Sequence, residues 1–119
     1  MSARSAAALV AVVAAAVAVP AARADLRIDD VHGTPSAPVA GSTFEVSGRI
    51  LFSGAVGSIH CRVLVGGRRY RAVRLVWDGS AARCSFVVPA NARGKVLAVG
   101  LAAAEGGNRA RTTLRYRVA

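Results

Sequence analysis

Residues 59–67 read IHCRVLVGG, and this stretch decides the fold class. Ile59, Cys61, Val63 and Val65 occupy alternate positions, which is the period of a β-strand with one buried face. The Gly-Gly pair at 66–67 then predicts a two-residue hairpin turn, because glycine tolerates the positive φ angles that such turns require. The stretch therefore predicts antiparallel strands joined by short turns.

The same alternation recurs along the chain between clusters of Gly, Pro, Asn and Asp, and helical periodicity is nearly absent after residue 24. We predict seven short strands, near 26–29, 43–52, 59–65, 69–77, 84–88, 96–101 and 113–118. Strands of this length and spacing are typical of an all-β, immunoglobulin-like antiparallel β-sandwich. The alternative is a five-stranded barrel of the oligonucleotide-binding kind, for which the turns are too many.

Two of these strands have unusual patterns. In 69–77 the first half of one face is polar and its second half apolar, which indicates a bulge or a change of sheet. Residues 96–101 are apolar on both faces, so we expect a central strand. In the last strand we expect Leu114, Tyr116 and Val118 to point inward.

The segments CRVLVGGR (61–68), ARCSFVVP (82–89) and Gly94-Lys95 resemble bacterial immunoglobulin-like modules of secreted and surface proteins. The openings DLRI (25–28) and AGSTF (40–44) are similar to the first two strands of such modules. The resemblance implies a β-sandwich with one disulfide and no catalytic residues. The chain departs from the pattern in having Phe86 where the modules have Trp, and we expect a single module rather than a tandem array.

The N-terminus has the features of a secretory signal peptide. Residues 6–19 are all apolar, Arg4 precedes them, and Ala22-Arg23-Ala24 supplies the small residues of a cleavage site. A membrane-spanning helix needs about 20 apolar residues, more than this run contains. We therefore expect residues 1–24 to be removed, leaving 25–119 as a single immunoglobulin-like domain without a transmembrane segment, in a secreted or periplasmic location.

Cys61 and Cys84 are the two cysteines of the chain. Since exported chains meet oxidising conditions, the pair predicts one disulfide, between the third and fifth predicted strands and across the core. The spacing is not the C-x-x-C of a redox site. Trp77 is close enough in sequence to pack on the bond.

We find no pattern that predicts catalysis, a cofactor or a metal, and we expect a protein that is not an enzyme. Asp29, Asp30, His32 and His60 carry metal-binding groups, but no ligand spacing connects them. No Gly-x-Ser-x-Gly motif occurs, and the glycine clusters lie at hairpins rather than between a strand and a helix.

Arginine is the one residue type in marked excess. The formal charge of +10 falls to +8 once Arg4 and Arg23 are removed with the signal peptide. Arg62, Arg115 and Arg117 take outward positions on strands expected to share a sheet. They predict a face that binds an anionic cell-surface polymer or membrane surface. Nucleic acid is not expected, because most aromatic residues point inward.

A compositional explanation of the arginine excess stays open. Many Arg with few Lys, beside abundant Ala, Gly and Val, is what a GC-rich genome encodes for any protein surface. The sequence thus favours a small exported, non-catalytic module with a structural, adhesion or binding role. The alternative is a small secreted enzyme or a protease-inhibitor-like protein, for which the loop at 34–38 (TPSAP) is the candidate inhibitory segment.

Overall fold

The computed structural model describes residues 26–119. The predicted signal peptide, residues 1–24, lies outside this range. The strands are β1 (Arg27–Thr34), β2 (Thr43–Leu51), β3 (Ser58–Val65), β4 (Arg68–Tyr70), β5 (Arg74–Trp77), β6 (Ala81–Val87), β7 (Val96–Glu105) and β8 (Asn108–Arg117). One short 3₁₀ helix, Ala90–Ala92, lies between β6 and β7. No helix among residues 26–119 is long and apolar enough to cross a membrane.

The strands form two four-stranded antiparallel sheets. We call the sheet with the order β1-β2-β6-β5 the back sheet and the sheet with the order β4-β3-β7-β8 the front sheet. Together they make the predicted immunoglobulin-like sandwich, so the fold class is confirmed. As expected, β7 is a central strand, lying between β3 and β8.

The strand count differs from the prediction by one. The predicted strand at 69–77 is two strands: β4 pairs with β3 in the front sheet, and β5 pairs with β6 in the back sheet. The chain crosses between the sheets at 71–73, where the amide of Val73 donates to the carbonyl of Arg71 at 2.8 Å. This crossing explains the switch from polar to apolar residues within the segment, and it is the change of sheet that the pattern indicated.

The core lies between the two sheets and is built on the alternating residues. Phe44 and Val46 of β2 face Leu97, Val99 and other residues of the front sheet, and all four are buried. The ring of Phe44 makes edge contacts with Tyr116, at a centroid distance of 5.0 Å, and with Phe86, at 6.1 Å. Edge-to-face pairs of this kind add stability beyond the apolar area that they bury.

A disulfide between Cys61 of β3 and Cys84 of β6 joins the two sheets, with Cα atoms 6.3 Å apart. The predicted bond across the core is therefore present. It joins the third and sixth strands because the crossing at 71–73 adds a strand. Cys84 is fully buried, whereas Cys61 is half-buried.

Trp77 is placed differently from the expectation that it packs on this bond. Its ring lies 6.1 Å from that of Phe52, in a second apolar cluster with Leu26 and Ile50. Neither cysteine belongs to that cluster. The sequence positions of Trp77 and Cys84 are close, but β5 and β6 pair so that Leu75, not Trp77, lies opposite Cys84.

Candidate functional site

The outer face of the front sheet has a floor of very small side chains. On the central strand β7 the outward positions are Val96, at its start, and then the small residues Ala98, Gly100, Ala102 and Ala104. The inward positions of the same strand carry larger residues such as Leu97 and Leu101, which are buried. Side chains on the two neighbouring strands are longer, so the face forms a shallow groove that runs along β7.

The walls of the groove are basic. A cavity of about 320 Å³ lies along its middle and is lined from β3 by His60, Arg62 and Leu64, and from β8 by Arg111, Thr113 and Arg115. A smaller cavity of about 160 Å³ continues it past Ala104 to Arg109. Both cavities share His60, Ala102 and Arg111, so they are parts of one groove.

Strand register sets a regular order of charge along the groove. Each of the four small outward residues of β7 has one cross-strand neighbour on β3 and one on β8, and such a set of three forms a rung. The four rungs are Ser58–Ala104–Arg109, His60–Ala102–Arg111, Arg62–Gly100–Thr113 and Leu64–Ala98–Arg115. Each rung therefore holds one arginine. Successive rungs are two residues apart, which is about 6.8 Å in an antiparallel sheet.

The structure brings together two of the three arginines that the sequence singled out. Arg62 and Arg115 are exposed and line the same cavity. Arg117 lies on the same strand and is also exposed, but its guanidinium donates to the carbonyl of Gly94 at 2.6 Å and does not line the groove.

Arg109 and Arg111 complete the row that Arg115 begins. The predicted last strand begins at residue 113, so the prediction did not place Arg109 and Arg111 on this face. The sequence does contain a signal for both arginines, because the outward alternation of Arg115 and Thr113 continues back through them to the turn at Gly106-Gly107. His60 was expected to point outward and does, but its nearness to Arg111 follows from register alone.

Acidic residues are segregated from the groove. Asp29, Asp30 and Glu45 lie on strands of the back sheet, and Asp78 lies in the turn between β5 and β6. Glu105 ends β7, but its carboxylate turns to the loop after β2, where Oε2 accepts from the amide of Gly54 and the hydroxyl of Ser53. No other acidic side chain occurs in residues 26–119.

The two ion pairs within residues 26–119 also lie away from the groove. Arg49 approaches Asp29 at 3.5 Å on the back sheet, and Arg83 approaches Asp78 at 3.8 Å. The Asp78 carboxylate is held in its turn by the amides of Ala81 and Ser80, which lower its pKa because they favour the charged form. The arginines of the groove are thus left without a protein carboxylate in the described chain.

The other sequence candidates are dispersed. His32 lies on the back sheet, where its ring contacts the carbonyl of Asp30 and the hydroxyl of Ser47, far along the chain and in a different sheet from His60. Within residues 26–119 no three His, Cys, Asp or Glu side chains group as a metal site would require. The loop that begins at Thr34 is exposed through Ala37, and Pro38 is buried.

Chemically, the groove offers positive charge and hydrogen-bond donors. Its cavities are lined by arginines, one imidazole and the hydroxyls of Ser58 and Thr113, and no carboxylate or thiol is among the lining residues. Guanidinium groups present paired N–H donors that match phosphate and carboxylate oxygens. The arrangement is suited to holding an anion.

Comparison with known proteins supports the fold and goes no further. No family model matches the chain, and no curated protein matches it. Among solved structures, the chain is similar to the I-band fragment I67-I69 from titin, with a TM-score of 0.53 and 11% sequence identity. The match covers 80% of this chain and 32% of the titin fragment, so the chain spans about a third of that structure. A likeness at this identity establishes an immunoglobulin-like β-sandwich.

Proposed function

We propose that this chain is a small exported, non-catalytic binding module that attaches to an anionic polymer at the cell exterior through its front sheet. The observation that carries the proposal is the segregation of charge. Four arginines, Arg62, Arg109, Arg111 and Arg115, line one groove, while the acidic side chains of the described chain lie elsewhere. The strand register adds to this, because it places one of these guanidinium groups on each of four successive rungs.

Export is supported by two independent features. The first is the run of apolar residues before Ala22-Arg23-Ala24, which has the order of a signal peptide. The second is the disulfide, because such bonds persist in oxidising compartments and are rare in the cytosol. Anionic polymers and lipid surfaces are abundant outside the cytoplasm, so the location and the charge point to the same class of partner.

A non-catalytic role is supported by the composition of the groove. General acid–base chemistry uses a positioned side chain whose pKa is tuned by its neighbours, and nucleophilic catalysis uses a side chain activated by an adjacent base, a lowered pKa or a metal. The groove places His60 among arginines with no carboxylate to orient it. Immunoglobulin-like sandwiches also serve as binding and structural modules in many proteins.

The test compares two triple variants of equal charge. Arg62→Ser, Arg111→Ser and Arg115→Ser together remove three cations from the groove. Arg27→Ser, Arg74→Ser and Arg93→Ser remove three exposed cations from other surfaces. Retention of each protein on immobilised polyuronate and on poly(glycerol phosphate) is measured at low and high salt.

We expect the groove variant to bind at least 100-fold more weakly at low salt, since each arginine at an anionic surface contributes about 1 kcal/mol. The control variant should bind nearly as well as the parent, and salt should weaken all binding because it screens exposed charges. Equal loss in the two variants would mean that net charge alone is responsible, and the proposal would fail.

A further inference from the structure

We infer that the groove holds a single extended phosphodiester chain, with its phosphates linked by small polyols, lying parallel to β7 with one phosphate at each rung. This inference rests on the proposed function and specifies the chemical class and the pose of the ligand. It is drawn from the spacing of the arginines, the width of the groove and the residue types that line it.

The spacing argues for a ligand with one charge in each short repeat. Arg109, Arg111, Arg62 and Arg115 occupy four consecutive rungs, about 6.8 Å apart along the strand. Three of them project from β8, whereas Arg62 projects from β3. A chain lying over the floor of β7 therefore meets one guanidinium at every step. A linear polymer with one phosphate in each short repeat unit matches this row.

The width of the groove argues for one narrow chain. The walls stand on β3 and β8, the two strands that flank β7, and neighbouring strands are about 4.8 Å apart, so the wall backbones are about 10 Å apart. The floor is low only along β7, because Gly100 and the flanking alanines carry little or no side chain. An extended polyol phosphate lies in such a channel with its phosphates turned to the walls.

The lining residues argue against nucleobases as the recognised groups. Single-stranded nucleic acids are held largely by stacking on aromatic side chains, and no Phe, Tyr or Trp ring lines either cavity. The rings of Phe44, Phe86 and Tyr116 lie in the core instead. What remains is recognition of an anionic group by guanidinium, whose fork of donors fits two phosphate oxygens at once.

Gly100 permits a test that leaves charge unchanged. A Cβ added at Gly100 meets no atom closer than 3.5 Å, the nearest being Oγ1 of Thr113, so a side chain fits there and projects into the groove. Gly100→Val raises the floor at the centre of the row, and Ala102→Val does so one rung away. Valine is favourable in strands. Ser85→Val, on the back sheet, is the matched control.

The experiment measures the affinity of each variant for glycerol phosphate oligomers of one to eight phosphates at low salt. We expect affinity to rise steeply up to four phosphates and only slightly beyond, because four arginines line the groove, whereas the guanidinium of Arg117 is held at the carbonyl of Gly94. Gly100→Val and Ala102→Val should each bind the four-phosphate oligomer at least about tenfold more weakly, with thermal unfolding showing that they remain folded. Ser85→Val should bind as the parent does.

Other outcomes would overturn this inference, and they distinguish its failure from the failure of the proposed function. If raising the floor changes nothing while the arginine variant still loses binding, the face acts by charge alone and no chain lies in the groove. If polygalacturonate or anionic vesicles bind more tightly than the oligomers, the ligand class is wrong. If neither set of variants affects binding to any anion, both proposals fail.

Discussion

Gly33 of β1 packs directly against the ring of Phe44. A Cβ atom built on Gly33 would overlap the ring at Cζ and would lie 2.7 Å from the hydroxyl oxygen of Tyr116. Phe44 belongs to the back sheet and Tyr116 to the front sheet, so this glycine lies where both sheets and their aromatic pair meet. The absence of a side chain at position 33 is what lets the two rings approach.

We predict that Gly33→Ala destabilises the domain by about 1–3 kcal/mol, because the added methyl forces the Phe44 ring from its place in a closely packed core. Urea unfolding measures the change. Gly107→Ala is the matched control, since no atom lies within 4 Å of a Cβ built there and its φ is not positive. Equal stabilities of the two variants would contradict the packing described for Gly33.

We predict that replacing Cys61 and Cys84 together by alanine lowers the free energy of unfolding by about 2–5 kcal/mol, because the bond restricts the unfolded chain. Urea unfolding of the parent in the presence of a reductant should give a similar loss. Native, unreduced protein should show no free thiols on labelling. Two reactive thiols in that state would mean that the bond is absent from the exported protein.

We predict that Tyr116 makes the domain less stable in alkali. Burial raises the pKa of the Tyr116 hydroxyl above its ordinary value of 10.0, because the phenolate loses hydration. The folded state therefore resists ionisation that the unfolded chain undergoes. This contribution to stability is complete below about pH 10 and declines as the pH rises through the pKa of the folded state. Urea midpoints at pH 9 and pH 11 should fall more for the parent than for Tyr116→Phe. Parallel declines would refute the assignment.

We predict that the exported protein begins at Asp25. The intact mass of protein recovered from the medium or periplasm should lack residues 1–24, because Ala22 and Ala24 provide the small side chains that the cleavage site requires. Ala24→Phe should block removal and increase the mass by the whole segment. If the unaltered protein retains residues 1–24, the segment is an anchor and the expected domain boundary is incorrect.

Much of the sandwich follows from local patterns in the sequence. Alternation identifies the inward residues of β3 and β8, and the glycine pairs at 66–67 and 106–107 mark hairpins whose glycines do adopt positive φ at 66, 67 and 106. The double apolar face of β7 indicates a central strand, because its outward positions hold alanines instead of polar residues. These features depend only on residues close together in the chain.

The groove could be predicted only in part, since alternation specifies a face but not a neighbour. Arg62 and Arg115 were expected to share a face from the usual strand order of the fold, whereas the pairing of His60 with Ala102 and of Ala102 with Arg111 depends on register. Register is set by hairpin geometry and by long-range packing. The same limit explains Trp77, whose partner Phe52 is 25 positions earlier and lies near it because β2 and β5 both pair with β6.

The disulfide also determines how the domain would behave if its two ends were pulled apart. The sequence separation of 23 leaves 22 residues between Cys61 and Cys84, and these include β4, β5 and the crossing between the sheets. Tension would pass through the sulfur atoms and bypass this segment, which amounts to about 75 Å of fully extended chain. While the bond is intact, mechanical extension can therefore lengthen only the chain before Cys61 and the chain after Cys84. The segment between the two cysteines bears no tension, and a reductant would release it as additional length.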